Sequence, residues 1–359
     1  MSKYRQTTLY PNTSAATAKT ETIDLDVTDP ITKIWAVFKA TSAGTEQTAH
    51  PAGNVTKIEV VDGSTVIASV SGKECQALDF HNSKWMPNNY VADGSGVMHY
   101  ATFNLNFGRF LWDTNLALDP TKFRNPQLKV THNYQIADTS ASAATLEAYA
   151  LLFDEKKISP MGYLRPTSVY TYTNGASGSI ESIDVPRDLP IRQMVIRSYG
   201  DGYFPWHGAY HMKISENGGA RVPFDIDTMP WLNIIKQMYP EATEGCYLDA
   251  NTTARHLYCA PTFTVKPSLI AVTAGSVVTS TPVNSAVPLH IVVSVDGYVY
   301  GFTQGWCPHY AFPIPFGDQS DFNDWYDPRP LGALKLDITA GGGGTNMTTA
   351  LILEQLQRY

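Results

Sequence analysis

Four aspartates, Asp318, Asp321, Asp324 and Asp327, recur at every third residue of one polar stretch. Carboxylates at that density are hard oxygen donors of the kind that hold Ca2+, so they are the candidate metal ligands of this chain. The spacing is not that of an EF-hand, and Trp325, Tyr326 and Pro328 between and beside them favour a packed loop or subunit contact with capping carboxylates. His207-Gly-Ala-Tyr-His211 has the i, i+4 spacing of a metal-binding helix, yet Pro205 and Gly208 weaken a helix there and the Glu of an HExxH motif is missing. Gly341-Gly-Gly-Gly344 has the glycine of a phosphate loop, but no Lys-Ser/Thr follows it, and a hairpin turn is expected. Glycan cleavage would need two or three carboxylates meeting in a cleft with tryptophans, and Asp201, Glu216 and Asp225 are the candidates. No GxSxG elbow, Cys–His signature or Rossmann fingerprint is present, so neither an enzyme nor a cofactor is expected.

These residues sit in a chain built for strands. Its 359 residues include 20 Tyr, 14 Phe and 7 Trp, punctuated by 23 Pro and 26 Gly. Aromatic and β-branched residues fit pleated surfaces, and Gly and Pro break them into short strands. Only 16% of residues are charged, well under the usual quarter, so much of the surface must be neutral or covered by partners. The net charge of −7 argues against a chain-wide nucleic-acid surface. No apolar run is long enough to span a bilayer as a helix, and residues 1–20 lack the apolar core of a signal peptide. Cys75, Cys246, Cys259 and Cys307 form no CxxC pair and fit reduced thiols in a protein made in the cytoplasm, with a Cys246–Cys259 bridge as the alternative.

The order of elements repeats. Glu21-Thr-Ile-Asp-Leu-Asp-Val-Thr-Asp-Pro30-Ile31 is answered, 160 residues on, by Glu181-Ser-Ile-Asp-Val-Pro-Arg-Asp-Leu-Pro190-Ile191. Two strand–turn–strand units follow, turning at Asp62-Gly63 and Asn217-Gly218, which supply the positive φ a tight hairpin requires. Each leads into a short helix, capped by Ser71 in the first half and by Asp227 in the second, with Pro230 near the start of the second. His99-Tyr-Ala-Thr-Phe-Asn-Leu-Asn-Phe107-Gly108 is answered by His309-Tyr-Ala-Phe-Pro-Ile-Pro-Phe316-Gly317, and Leu128-Lys129 by Leu334-Lys335. The separation of matched residues grows between helix and aromatic strand, so the second half carries an insertion at about residues 242–298. The expected organisation is a flexible N-terminal arm over 1–20, a first jelly roll over 21–157, and a second over 163–359. The fold class is all-β: two tandem eight-stranded jelly-roll sandwiches with one short helix per half.

The stretches Val60-Val-Asp-Gly-Ser-Thr-Val-Ile67 to Ser71-Gly-Lys-Glu74, Phe107-Gly-Arg-Phe-Leu-Trp-Asp113 to Leu118-Asp-Pro-Thr-Lys-Phe123, and Leu128-Lys-Val-Thr131 resemble double jelly-roll major capsid proteins. These belong to tailless icosahedral viruses of the lineage of PRD1 and adenovirus, with bacteriophage members the most similar. The resemblance implies a virion protein that assembles with itself as trimeric, pseudo-hexagonal capsomers. It also implies contacts with penton or minor capsid proteins, and an insertion standing as an outward tower. In that setting Lys3, Arg5 and Lys19 of the arm would face an internal membrane or the genome. Two other readings stay open: a carbohydrate-binding or glycan-cleaving double sandwich, and a secreted adhesin or coat protein. The aromatic strips Tyr203-Phe-Pro-Trp206 and Trp306-Cys-Pro-His-Tyr310 suit sugar stacking or, better, a subunit interface.

Overall fold

A computed structural model describes residues 3–44, 47–250, 255–283 and 286–359. The first half runs β1 (Tyr4–Ala15), β2 (Ala18–Asp24), β3 (Ile31–Thr41), β4 (Val55–Asp62), β5 (Thr65–Val70), α1 (Gly72–Ser83), β6 (Val91–Asp93), β7 (Met98–Asn106), β8 (Pro126–Asn133) and β9 (Ala143–Phe153). The second runs β10 (Gly162–Thr173), β11 (Ile180–Asp184), β12 (Ile191–Tyr199), α2 (Pro205–Gly208), β13 (His211–Glu216), β14 (Arg221–Asp227) and α3 (Thr228–Met238). It continues with β15 (Ala242–Ala250), β16 (Arg255–Leu257), β17 (Phe263–Ala271), β18 (Val278–Val283), β19 (Ala286–Val293) and β20 (Gly297–Trp306). It closes with β21 (Ala311–Pro315), β22 (Leu334–Thr339) and β23 (Thr348–Arg358).

The duplication is explicit in the strand order. The first half packs the sheet β1-β9-β3-β7 on β2-β8-β4-β5; the second packs β10-β23-β12-β21 on β11-β22-β13-β14. Each is an eight-stranded jelly roll. Ala36 lies opposite Phe103, and Ile196 opposite Phe312, so the match of the two aromatic strands holds in the register. Likewise Ile58 faces Val130 and Ile214 faces Leu336. The two sandwiches join edge to edge: β5 and β10 run parallel, with Thr167 paired to Ser69, and fuse one sheet of each half into a single eight-stranded sheet.

Local sequence explains the elements. Along β9 buried and part-exposed residues alternate, the period of a strand with one face on a core. The fully buried Phe38, Phe103 and Phe107 fill the first core; Met194, Phe312 and Leu353 fill the second. Ser71 caps α1 in a full capping box, its hydroxyl accepting from the Glu74 amide while Glu74 accepts from the Ser71 amide. Asp227 holds the N-cap position of α3 but makes no side-chain cap; its carboxylate is taken by His211. Gly63, Asn217 and Gly218 have φ of 60°, 49° and 71°, as their turns demand.

Three expectations are corrected. Residues 4–15 are not a free arm: they form β1, hydrogen-bonded to β9 as β10 is to β23, so the first jelly roll begins at Tyr4. The insertion extends to Trp306 and is a small sandwich of its own, β17-β20-β15-β6 on β16-β19-β18. Its fourth strand, β6, comes from the first half and runs parallel to β15. The Gly341–Gly344 stretch does not close a hairpin, since β22 and β23 lie in different sheets; it crosses from one sheet to the other against the His207 backbone.

Candidate functional site

The four aspartates lie together in sequence, and each spends its oxygens on a loop bond. Asp318 accepts from the Ser320 amide and hydroxyl at 2.8 and 2.7 Å. Asp321 accepts from the Asn323 amide at 2.9 Å, Asp324 from the Asp318 amide at 2.6 Å, and Asp327 pairs with Arg329 at 2.6 Å. These bonds hold Asp318 and Asp327 below the usual carboxylate range, through Ser320 and Arg329 respectively. Among the described residues no three His, Cys, Asp or Glu side chains are grouped to hold a metal ion.

The glycan-cleaving candidates are also dispersed. Asp201 accepts from the Tyr199 hydroxyl, Glu216 is buried between Arg221 and the Tyr326 hydroxyl, and Asp225 meets His211 on the β13–β14 hairpin. His207 folds back on Phe204 within α2 while His211 sits between Asp225 and Asp227, so the two histidines form no shared site. All four cysteines are free and buried. Of the arm cations, Arg5 pairs with Asp29 and Asp154, and Lys19 with Glu21.

The structure instead concentrates buried polar chemistry where first half, second half and insertion meet. Glu244 of β15 is the hub. Its Oε1 accepts from His50 Nε2 at 2.8 Å and Asn89 Nδ2 at 2.7 Å, and its Oε2 accepts from the Ala260 amide at 2.7 Å. His50 Nδ1 accepts from the Ala52 amide, which leaves Nε2 to donate to the carboxylate. Asn89 is doubly bonded to Gln76 of α1, whose Oε1 accepts from His309 Nε2 at 2.7 Å. A continuous chain thus runs from His309 of the second half, through Gln76 and Asn89 of the first, to Glu244 of the insertion. Burial alone would raise the Glu244 carboxyl; His50 and the hydrogen bonds outweigh it and leave it below its ordinary value. Burial pushes His309 well below the usual histidine range.

A second buried joint lies between the sandwiches. Arg192 of β12 meets Glu354 of β23 at 2.9 Å, and Asn82 at the end of α1 donates to the same carboxylate at 2.7 Å. A third tie crosses the adjoining loops, where Arg109 grips Asp113 through two bonds of 2.6 and 2.8 Å and reaches the Ser320 carbonyl. Glu244 and Glu354 carried no local signal in the sequence beyond a lone carboxylate within an apolar strand, such as Leu351-Ile-Leu-Glu354-Gln-Leu356. The repeated His99 and His309 are not equivalent: His99 lies in β7 opposite Ala40, whereas His309 is in a left-handed turn leaving the insertion.

This is an architecture of two alike sandwiches locked side by side by buried joints. The chain is a double jelly roll. No protein-family model matches the sequence, and no curated protein matches it. Among solved structures it is similar to the major capsid protein of Sulfolobus Turreted Icosahedral Virus, with TM-score 0.64 and 11% identity over 99% of this chain and 97% of that one. It is similar to the major capsid protein P2 of bacteriophage PM2, with TM-score 0.55 and 10% identity over 99% and 98%. The PBCV-1 virus capsid chain matches with TM-score 0.57 and 10% identity over 98% and 93%. At such identities the likeness is one of fold, and it runs end to end in both partners.

Proposed function

We propose that this protein is a structural subunit of an icosahedral virus shell, a major capsid protein of a tailless virus of the bacteriophage type. The observation that carries the reading is the strand order repeated in two sandwiches that share one sheet, matched along the full length of capsid proteins. Two like sandwiches side by side make a block with near-twofold internal repetition, and three such blocks close a pseudo-hexagonal ring. Buried polar ties between the halves suit a subunit that must keep its two sandwiches in one fixed relation. The insertion, at the helix end of the sandwiches, stands as the tower; loops at the opposite end, including the aspartate-rich 318–327 stretch, face neighbouring capsomers, penton or minor proteins, or the particle interior. Chains are synthesised in the host cytoplasm and act in the virion.

Electron microscopy of purified protein, with light scattering after size-exclusion chromatography, tests the proposal. Trimers of hexagonal outline are expected. A strictly monomeric protein at high concentration, or one that cleaves or binds glycans on a panel, would overturn it in favour of the carbohydrate reading.

A further inference from the structure

One flank of the molecule is apolar and uncovered. The insertion sheet β17-β20-β15-β6 buries one face, with Val91, Leu248 and Val299 in its core. Its other face is open: Ile270 and Val272 are each 58% exposed, Tyr300 49%, Tyr298 45% and Phe302 41%. Ile270, Tyr300 and Tyr247 lie directly opposite one another on neighbouring strands, so these side chains share that face.

A row of tyrosines carries the surface from the insertion onto the first half. Tyr298–Tyr247, Tyr247–Tyr90 and Tyr90–Tyr100 have ring centroids 5.2, 6.4 and 5.8 Å apart and planes within 27° of each other. Thr243, on the same face, also lines an adjoining groove with Met86, Pro240 and Trp85, and Trp85 is 79% exposed. Asp249 and Lys266 are the charged residues described on the open sheet face, and Lys266 is already held by Glu241. Full burial of an aromatic side chain removes roughly 150–250 Å². Five large side chains about half exposed therefore offer on the order of 500 Å², and Trp85 with its groove brings the flank near the roughly 800 Å² per partner of a standard interface. That meets or exceeds the largest apolar patch of an ordinary monomer, about 300–600 Å².

We propose that this flank is the contact between copies of the chain, a neighbouring copy covering the tyrosine row and Trp85. The inference rests on the shell-subunit reading and names the surface through which it operates. The area suits a stable protein–protein contact, and the composition, rich in Tyr and Trp and poor in charge, is that of an interface core. A sugar platform needs free ring faces, whereas Tyr298, Tyr247, Tyr90 and Tyr100 stack successively on one another.

The test uses the full chain. Wild type, Tyr300→Glu and Ile270→Cys are compared by size-exclusion chromatography with light scattering and by maleimide labelling, the four native cysteines being buried. Tyr300→Glu is expected to weaken association by about 30-fold or more, as loss of a hot spot does, and to elute as a folded monomer. Ile270→Cys is expected to label slowly in the trimer and rapidly when combined with Tyr300→Glu. If wild type assembles while Tyr300→Glu still forms trimers and Ile270→Cys labels freely, the flank is refuted and the shell reading survives. If wild type stays monomeric, both fall. Should Tyr300→Glu misfold, protection of Ile270→Cys in the wild-type background decides alone.

Discussion

Replacing Glu244 with alanine removes the acceptor shared by His50 Nε2, Asn89 Nδ2 and the Ala260 amide, all buried. Each orphaned donor costs about 1–3 kcal/mol, and breaking a buried charged network by deleting one partner costs about 3–5 kcal/mol in all. The loss should be felt first where the insertion docks, since Glu244 lies on the strand that pairs with β6 at Cys246 and Val91. An opening equilibrium weakened by that amount is populated roughly a few hundred to a few thousand times more often. Hydrogen exchange of the β6 and β15 amides measures this directly. Glu244→Gln keeps the oxygen facing His50 and Asn89 but turns an amine toward the Ala260 amide, so it should cost about 1–3 kcal/mol and exchange at an intermediate rate. Wild-type exchange in both variants, or an equal loss in both, would refute the claim that this carboxylate holds the insertion to the two sandwiches.

Acid should destabilise the protein beginning near pH 6.5. Burial lowers His81 to about 3 and His99 to about 4 from 6.5, and drives His309 down as well. The unfolded chain binds these protons first, so the stability is fully present above pH 6.5 and is lost as pH falls toward 4 and 3; Glu244 adds a loss only below its ordinary 4.5. Three such histidines give a slope of up to about 4 kcal/mol per pH unit, and a urea midpoint constant from pH 7 to 5 would contradict this. Gly72→Ala should destabilise by about 1–3 kcal/mol or more, because a Cβ there would stand 2.7 Å from the Phe103 ring and 2.6 Å from the Ala52 carbonyl oxygen; thermal unfolding reports it. Asp113→Asn, which breaks the buried Arg109 pair, should cost about 3 kcal/mol, while Asp327→Asn on its exposed loop should change stability by less than about 1 kcal/mol in the same assay.

The order of the repeated elements, the two hairpin turns and the Ser71 cap of α1 were legible in the linear sequence. They depend on contacts a few residues apart: a φ near +60° at Gly63, a hydroxyl reaching the amide of Glu74, a two-residue alternation along β9. Tyr4–Ala15 was not legible as a strand, because its run of Thr, Ser and Asn has no apolar alternation, and it is held by the neighbouring β9 at the edge of its sheet. The apparent equivalence of His99 and His309 failed for a similar reason. Strand register, set by which side chains fill the core, aligned Phe103 with Phe312 and left His309 in a turn.

Periodicity and turn chemistry are local, and they were enough to specify a duplicated β fold with one insertion. Tertiary structure decided what joins the parts: β6 of one half completing the sheet of the other's insertion, His50 meeting Glu244 across 194 residues, and Asn82 meeting Glu354 across 272. Nothing nearby in the chain marks such partners, because a buried carboxylate is satisfied by whichever donors folding brings within 3 Å.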